Sequence, residues 1–163
     1  MNTKKRILFT VYCLLLIWII LFKLSFSLQD FKELHGVSSL NLIPFYYKSA
    51  AGFQFTETFQ NLLIFIPFGI YTKMLDYDNK KAILIGFVFS LSLEMCQLLF
   101  QIGATDITDL ITNTSGTAIG VYLYKLFVKL FKTKRNADSI LIVFASVTTI
   151  LFVSLLLLTI LSN

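Results

Sequence analysis

Apolar residues run along this chain in long stretches, and the polar interruptions between them are short and clustered. Five stretches predict helices, at 7–28, 59–75, 82–102, 109–130 and 139–161. Each is on the order of 20 residues, the length at which an α-helix crosses a hydrocarbon layer about 30 Å thick. The period-two alternation of a transmembrane barrel is absent, so helices are the way these segments satisfy their own backbone hydrogen bonds. The last run carries no charge at all. The first follows Lys4, Lys5 and Arg6 and contains Lys23, whose stem can reach towards headgroups; a signal peptide cleaved near Ser25 and Ser27 is the competing reading of that segment. The second holds Asn61 near its start and Pro67-Phe-Gly69 in its middle, which predicts a kink near Phe65.

Between the first two runs, 29–58 is polar but unusually aromatic, with Phe31, Phe45, Tyr46, Tyr47, Phe53 and Phe55. That mixture predicts a cap lying along the membrane interface. Within it Pro44 fixes the backbone of Asn41-Leu-Ile-Pro-Phe45 and makes it rigid, suited to a lid.

Composition narrows the class. Of 163 residues, 56% are hydrophobic and 14% charged, where soluble domains carry about 25% charged residues. The expectation is an all-α integral membrane bundle, a single domain over 1–163, multi-pass in a plasma membrane. The net charge of +5 sits in juxtamembrane clusters, which points to topology and to membrane lipids as partners and away from nucleic acid. Eleven of the 14 basic residues fall on one side of a five-span arrangement, leaving Lys23, Lys32 and Lys48 on the other. The positive-inside rule then sets the N-terminus inside and the C-terminus outside. On that topology Asp30, Glu33, Glu57, Asp106 and Asp109 lie outside, with Glu94 about two turns below the outer end of its helix. Cys13 and Cys96, each mid-way in an apolar run, read as small hydrophobes, and the lone His35 as a surface residue.

Polar residues inside the apolar runs carry the candidate chemistry. Ser90, Glu94, Gln97 and Gln101 are spaced four, three and four apart, on one face of the third helix; Asp106, Asp109, Asn113, Gly116 and Gly120 make a similar stripe on the fourth. Joined by a tight turn at Gly103, the stripes are expected to face each other, with Asn61 at a matching depth. The functional reading is an outward-facing pocket of Asn61, Glu94, Gln97, Asp106, Asp109 and Asn113, closed below by the close packing that Gly116 and Gly120 permit. The competing reading is an interhelical hydrogen-bond network, with Asp106 or Asp109 capping a helix. Glu94 and Asp109 are the candidates for an acid and base pair, although no nucleophile with a partner stands beside them. Glu57, Glu94, Asp106 and Asp109 offer oxygens to a hard cation, but the spacing is not that of a metal site, and no metal or cofactor is assigned. The sequence gives no oligomeric state.

Taken in order, Asn41-Leu-Ile-Pro-Phe45, Asn61, Pro67-Phe-Gly69, Glu94-x-x-Gln97 and Asp106-x-x-Asp109-x-x-x-Asn113-x-x-Gly116-x-x-x-Gly120 resemble the VanZ-like family of small bacterial membrane proteins. The resemblance covers about 1–130, with the last run as the family's fifth helix. It implies a polytopic plasma-membrane protein, linked through the family's namesake to resistance to the glycopeptide teicoplanin, and it lends no agreed biochemical activity. The expected ligand is an envelope lipid, a lipid-linked wall precursor or a glycopeptide; the alternative is an enzyme acting on such a precursor or headgroup. Family members carry an arginine shortly before the first aspartate of the outer motif, where this chain has Gly103-Ala-Thr105. That departure makes the site more acidic and favours a neutral or cationic ligand; either the arginine's function is lacking here or the charge comes from elsewhere, with Lys48 as the candidate.

Overall fold

The computed structural model describes residues 3–22, 39–45, 53–102 and 104–162. Five long helices and two three-residue strands follow in the order α1 (Thr3–Phe22), β1 (Ser39–Asn41), α2 (Phe53–Met74), α3 (Asn79–Phe100), β2 (Ala104–Asp106), α4 (Ile107–Leu130) and α5 (Lys134–Ser162). The third and fourth helices begin ahead of their apolar runs, each on a carboxylate cap. Asp78 opens α3 by accepting the backbone N–H of Lys81 at 2.9 Å, and that bond holds its carboxyl below the ordinary carboxylate value. Gln101 closes α3 in a left-handed conformation, φ 54°, its N–H directed at the carbonyls of Gln97 and Leu98. Residues 23–28, His35, Lys48 and Gly103 lie outside the described residues.

One expectation changes at this level. The second helix begins at Phe53 instead of near 59, taking in part of the segment read as interfacial. Pro67 lies inside it, and the helix continues past the proline to Met74.

The most extensive helix pair is α2 against α4, and glycine makes the approach possible. A Cβ on Gly120 would collide with the carbonyl oxygen of Ile66 and lie 3.0 Å from Cα of Gly69. One on Gly69 would strike the Thr117 carbonyl, and one on Gly116 that of Leu62. Backbone therefore meets backbone along this seam, as small residues permit between helices. Around it, Leu16, Phe65, Phe68 and Leu93 form one buried cluster, tied by the Phe68–Phe89 ring contact at 5.0 Å and by the Tyr12 hydroxyl donating to the Ile64 carbonyl.

A second cluster, Tyr71, Met74, Tyr124 and Leu141, sits at the opposite end from the strands and borders an ion pair. Lys5 on α1 pairs with Asp138 on α5, which also accepts the Tyr124 hydroxyl of α4 at 2.8 Å; Lys5 further donates to the Met74 carbonyl at 3.2 Å. Four helices thus meet at one buried charge pair.

Among the described residues, two helices are long and apolar enough to cross a membrane by length and composition: α3 and the Lys134–Ser154 part of α5. Only 28% and 17% of their apolar windows are buried within the fold. Helices of a soluble core would be mostly buried, whereas here Val88, Leu99, Val143, Phe144, Ile150 and Leu151 all point outward.

Candidate functional site

Glu94 lies at the middle of the polar group. It faces inward from α3, 4% exposed, and its Oε2 accepts the backbone N–H of Asp106 at 3.1 Å. The Thr105 hydroxyl donates to the Glu94 carbonyl at 3.3 Å. These two bonds fold β2 back against the last turns of α3. The left-handed cap at Gln101 is what lets the chain reverse there, and it takes Gln101 itself out of the polar stripe to an exposed position.

Asp106 does two jobs with its two oxygens. Oδ1 caps α4 by accepting the Thr108 N–H at 2.7 Å, and Oδ2 accepts the side-chain amide of Asn41 at 3.0 Å. Asn41 in turn accepts the Ile43 N–H at 3.1 Å, the Asx turn that starts the bend into Pro44. The Phe45 N–H donates to the Thr108 hydroxyl at 3.0 Å. Strand β1 pairs in parallel with β2, Asn41 opposite Asp106, so the 39–45 segment is fastened across the start of α4. The capping role weighed for Asp106 and the lid weighed for Asn41 to Phe45 therefore meet in a single contact.

Deeper in the bundle the network changes character. The Asn113 amide, 1% exposed, donates to the Ser90 hydroxyl of α3 at 2.9 Å. The Gln97 amide, 5% exposed, donates to the Ile20 carbonyl of α1 at 3.2 Å. As placed, the carboxamide oxygens Gln97 Oε1 and Asn113 Oδ1 are buried without a hydrogen-bond partner among the described residues. Turning the Gln97 amide over would leave the Ile20 carbonyl without its donor, which fixes Gln97. For Asn113 the Ser90 hydroxyl serves either orientation, so one amide atom, oxygen or nitrogen, stays unbonded in both. An unsatisfied buried polar group costs about 1–3 kcal/mol. Near Glu94, then, Gln97 offers an acceptor without a donor and Asn113 a carboxamide with one unbonded atom.

The remaining residues divide clearly. Asp109, in the first turn of α4, lies with Asp106 within electrostatic reach of Glu94, so three acidic groups gather at this end. Asn61 on α2 is half-buried and makes no hydrogen bond to the network among the described residues. Gly116, Gly120 and Gly69 belong to the α2–α4 seam, and Pro67 lies inside α2 next to it. Among the described residues no three His, Cys, Asp or Glu side chains gather where they could hold a metal ion, so Glu57, Glu94, Asp106 and Asp109 do not form such a group. The residues that spacing overlooked are Thr105 and Thr108, whose hydroxyls hold the cap, and Asp138 at the far end. The signal for Asp138 was an acid beside a run of basic residues; that for the threonines was their place at a helix start.

Comparison with known proteins gives this arrangement its setting. Residues 9–132 match the family model described as VanZ/LLP1. Protein VanZ of Enterococcus faecium is 42% identical over 134 residues, which cover 80% of this chain and 79% of that protein. No solved structure matches. A match across most of the chain, running from the first helix through the capped α4, means that the chain belongs to the VanZ/LLP1 family.

Proposed function

We propose that this VanZ-family chain is a plasma-membrane protein of five spans, N-terminus inside and C-terminus outside, whose polar group beneath the Asn41–Phe45 cap opens outward. There it binds an amphiphilic envelope component, a lipid-linked wall precursor or a glycopeptide of the teicoplanin type, and so affects susceptibility to such drugs. Family membership, the outward apolar faces of α3 and α5 and the one-sided distribution of lysines support the membrane part of this reading. Leu40, Leu42, Ile43 and Phe45, all exposed on the cap, suit a segment resting at a membrane interface.

One observation carries the binding part: the buried Glu94 carboxyl is flanked by the buried carboxamides of Gln97 and Asn113, each with an atom that has no partner among the described residues. A ligand bearing N–H or ammonium groups supplies the donor that Gln97 Oε1 lacks. The same surroundings, acidic and without the arginine expected from the family resemblance near Gly103, disfavour a phosphate.

A second reading has Glu94 and Asp109 as the acid and base of an enzyme acting on a lipid-linked precursor or headgroup, favoured by their electrostatic proximity. Glu94→Gln separates the two, since it keeps shape and hydrogen bonding but cannot transfer a proton. The measurement is teicoplanin susceptibility of cells expressing each variant at equal membrane levels. Binding predicts that Glu94→Gln retains a large part of the phenotype while Glu94→Leu and Asn113→Leu abolish it. Loss in Glu94→Gln equal to that in Glu94→Leu supports the enzyme, and an unchanged phenotype in all three removes this site from the function.

A further inference from the structure

At the end of the bundle away from the strands, the closing turn of α2, the α2–α3 turn, the last turns of α4 and the first residue of α5 line an open cavity of about 390 Å³. That is within the range of small-molecule pockets, roughly 300–1,000 Å³. Its charged lining is Lys73, Lys125 and Lys134 against Asp76 and Asp78; Tyr77, Tyr124 and Val128 supply the rest. The carboxylates are already engaged. Asp76 pairs with Lys134, and Asp78 caps α3 and lies 3.9 Å from Lys81. Lys73 and Lys125, by contrast, make no close ion pair among the described residues, although Lys73 lies within electrostatic reach of Asp78. Lys73 donates one of its three hydrogens to the Tyr77 carbonyl at 2.7 Å, and Lys125 stands over the Tyr122 ring at 5.2 Å.

We propose that this cavity binds the phosphate of an anionic phospholipid headgroup between Lys73 and Lys125. A basic pocket between helix ends, with an apolar wall of tyrosine and valine, has the amphiphilic character of a headgroup site. Its floor is rigid, because Tyr124 is held by Asp138, which is held by Lys5. Lys80, Lys81, Lys129, Lys132 and Arg135 add a positive field around the mouth. This site is separate from the Glu94 group, at the opposite end of the same helices, and rests on the membrane reading but not on the outward pocket.

The test uses the full chain, purified in a neutral detergent, with short-chain phosphatidylglycerol as probe and short-chain phosphatidylcholine, glycerol phosphate and inorganic phosphate as comparisons. Binding is read by thermal shift and by lipid retained in native mass spectrometry. Phosphatidylglycerol is expected to bind, with affinity reduced roughly fivefold by Lys73→Gln or Lys125→Gln alone and about thirtyfold by both. Lys129→Gln/Lys132→Gln, outside the cavity, should weaken binding less than either single change inside it, and Lys73→Arg/Lys125→Arg should retain binding and show that the site tolerates substitution. Equal loss in the Lys129/Lys132 and Lys73/Lys125 variants would reduce the effect to general surface charge and overturn the site. Glycerol phosphate or inorganic phosphate binding as tightly as the lipid would overturn the lipid as its occupant. Equal binding of phosphatidylcholine would overturn the requirement for an anionic headgroup.

Discussion

Removing Asp138 isolates a charge that the fold has buried. The Lys5 and Asp138 side chains are only 13% and 8% exposed, and Tyr124 depends on the same carboxylate. An Asp138→Leu substitution leaves the Lys5 ammonium with only the Met74 carbonyl and the Tyr124 hydroxyl without an acceptor. Breaking a buried pair from one side costs about 3–5 kcal/mol. By contrast, the Lys81–Asp78 pair, at 72% and 58% exposed, is screened by solvent and contributes little. Replacing both charges, as Lys5→Met/Asp138→Leu, should recover most of the loss, because the desolvation of two ions disappears with their attraction. What remains is the stranded Tyr124 hydroxyl, about 1–3 kcal/mol, which Tyr124→Phe removes. The triple variant should therefore stand within about 1 kcal/mol of the parent. Equilibrium unfolding in mixed micelles titrated with SDS measures this, with the single tryptophan, Trp18 on α1, as the fluorescent probe. Were Asp138→Leu to cost less than about 1 kcal/mol, as an exposed pair would, the cluster would not be the dry junction described. A triple variant as unstable as the single would be equally damaging.

Two other outcomes follow from the fold. Gly120→Ala should destabilise the protein by about 1–3 kcal/mol in the same assay, since its Cβ meets backbone at Ile66 and Gly69, and the gain of up to about 1 kcal/mol in helix propensity cannot offset that. Ile119→Ala, one residue away and 39% exposed, is the control and should stay near the parent. For Asp78 the sign follows from its lowered value: the folded carboxyl ionises more readily than the unfolded one, so its contribution is complete above the unfolded value of about 3.8 and disappears as pH falls through the lower folded value. Stability measured against pH below about 4 should show this slope in the parent and lose it in Asp78→Asn, which can still cap α3.

The helices were legible because apolar length is a local property. Runs such as 82–102 and 109–130 give α3 and α4 to within two or three residues. The stripe Ser90, Glu94, Gln97 was legible for the same reason, since helical period alone puts these residues on one face. Gln101 continued the period on paper and left it in the fold. Its left-handed cap is required by the reversal that brings β2 back to Glu94 and to β1, and periodicity contains no information about where a chain must turn. Asn61 had the right depth but does not bond to the network, because depth along a helix says nothing about rotation about its axis. Asp138 stood at the edge of an uncharged run and looked like a flank. Its partners are on α1 and α4, 133 and 14 residues away in sequence.

The sequence by itself determined the helical class, the approximate helices, the basic end and the polar face of α3, because each depends on composition and on the geometry of a single helix. Only the tertiary structure decided that Asp106 joins Glu94, Thr108 and Asn41, that the α2–α4 backbones touch at Gly69, Gly116 and Gly120, and that the buried carboxamides of Gln97 and Asn113 each keep an atom unbonded among the described residues. The reason is that a hydrogen bond forms or fails within tenths of an ångström. Those distances are set jointly by the packing of several helices, and no one segment contains them.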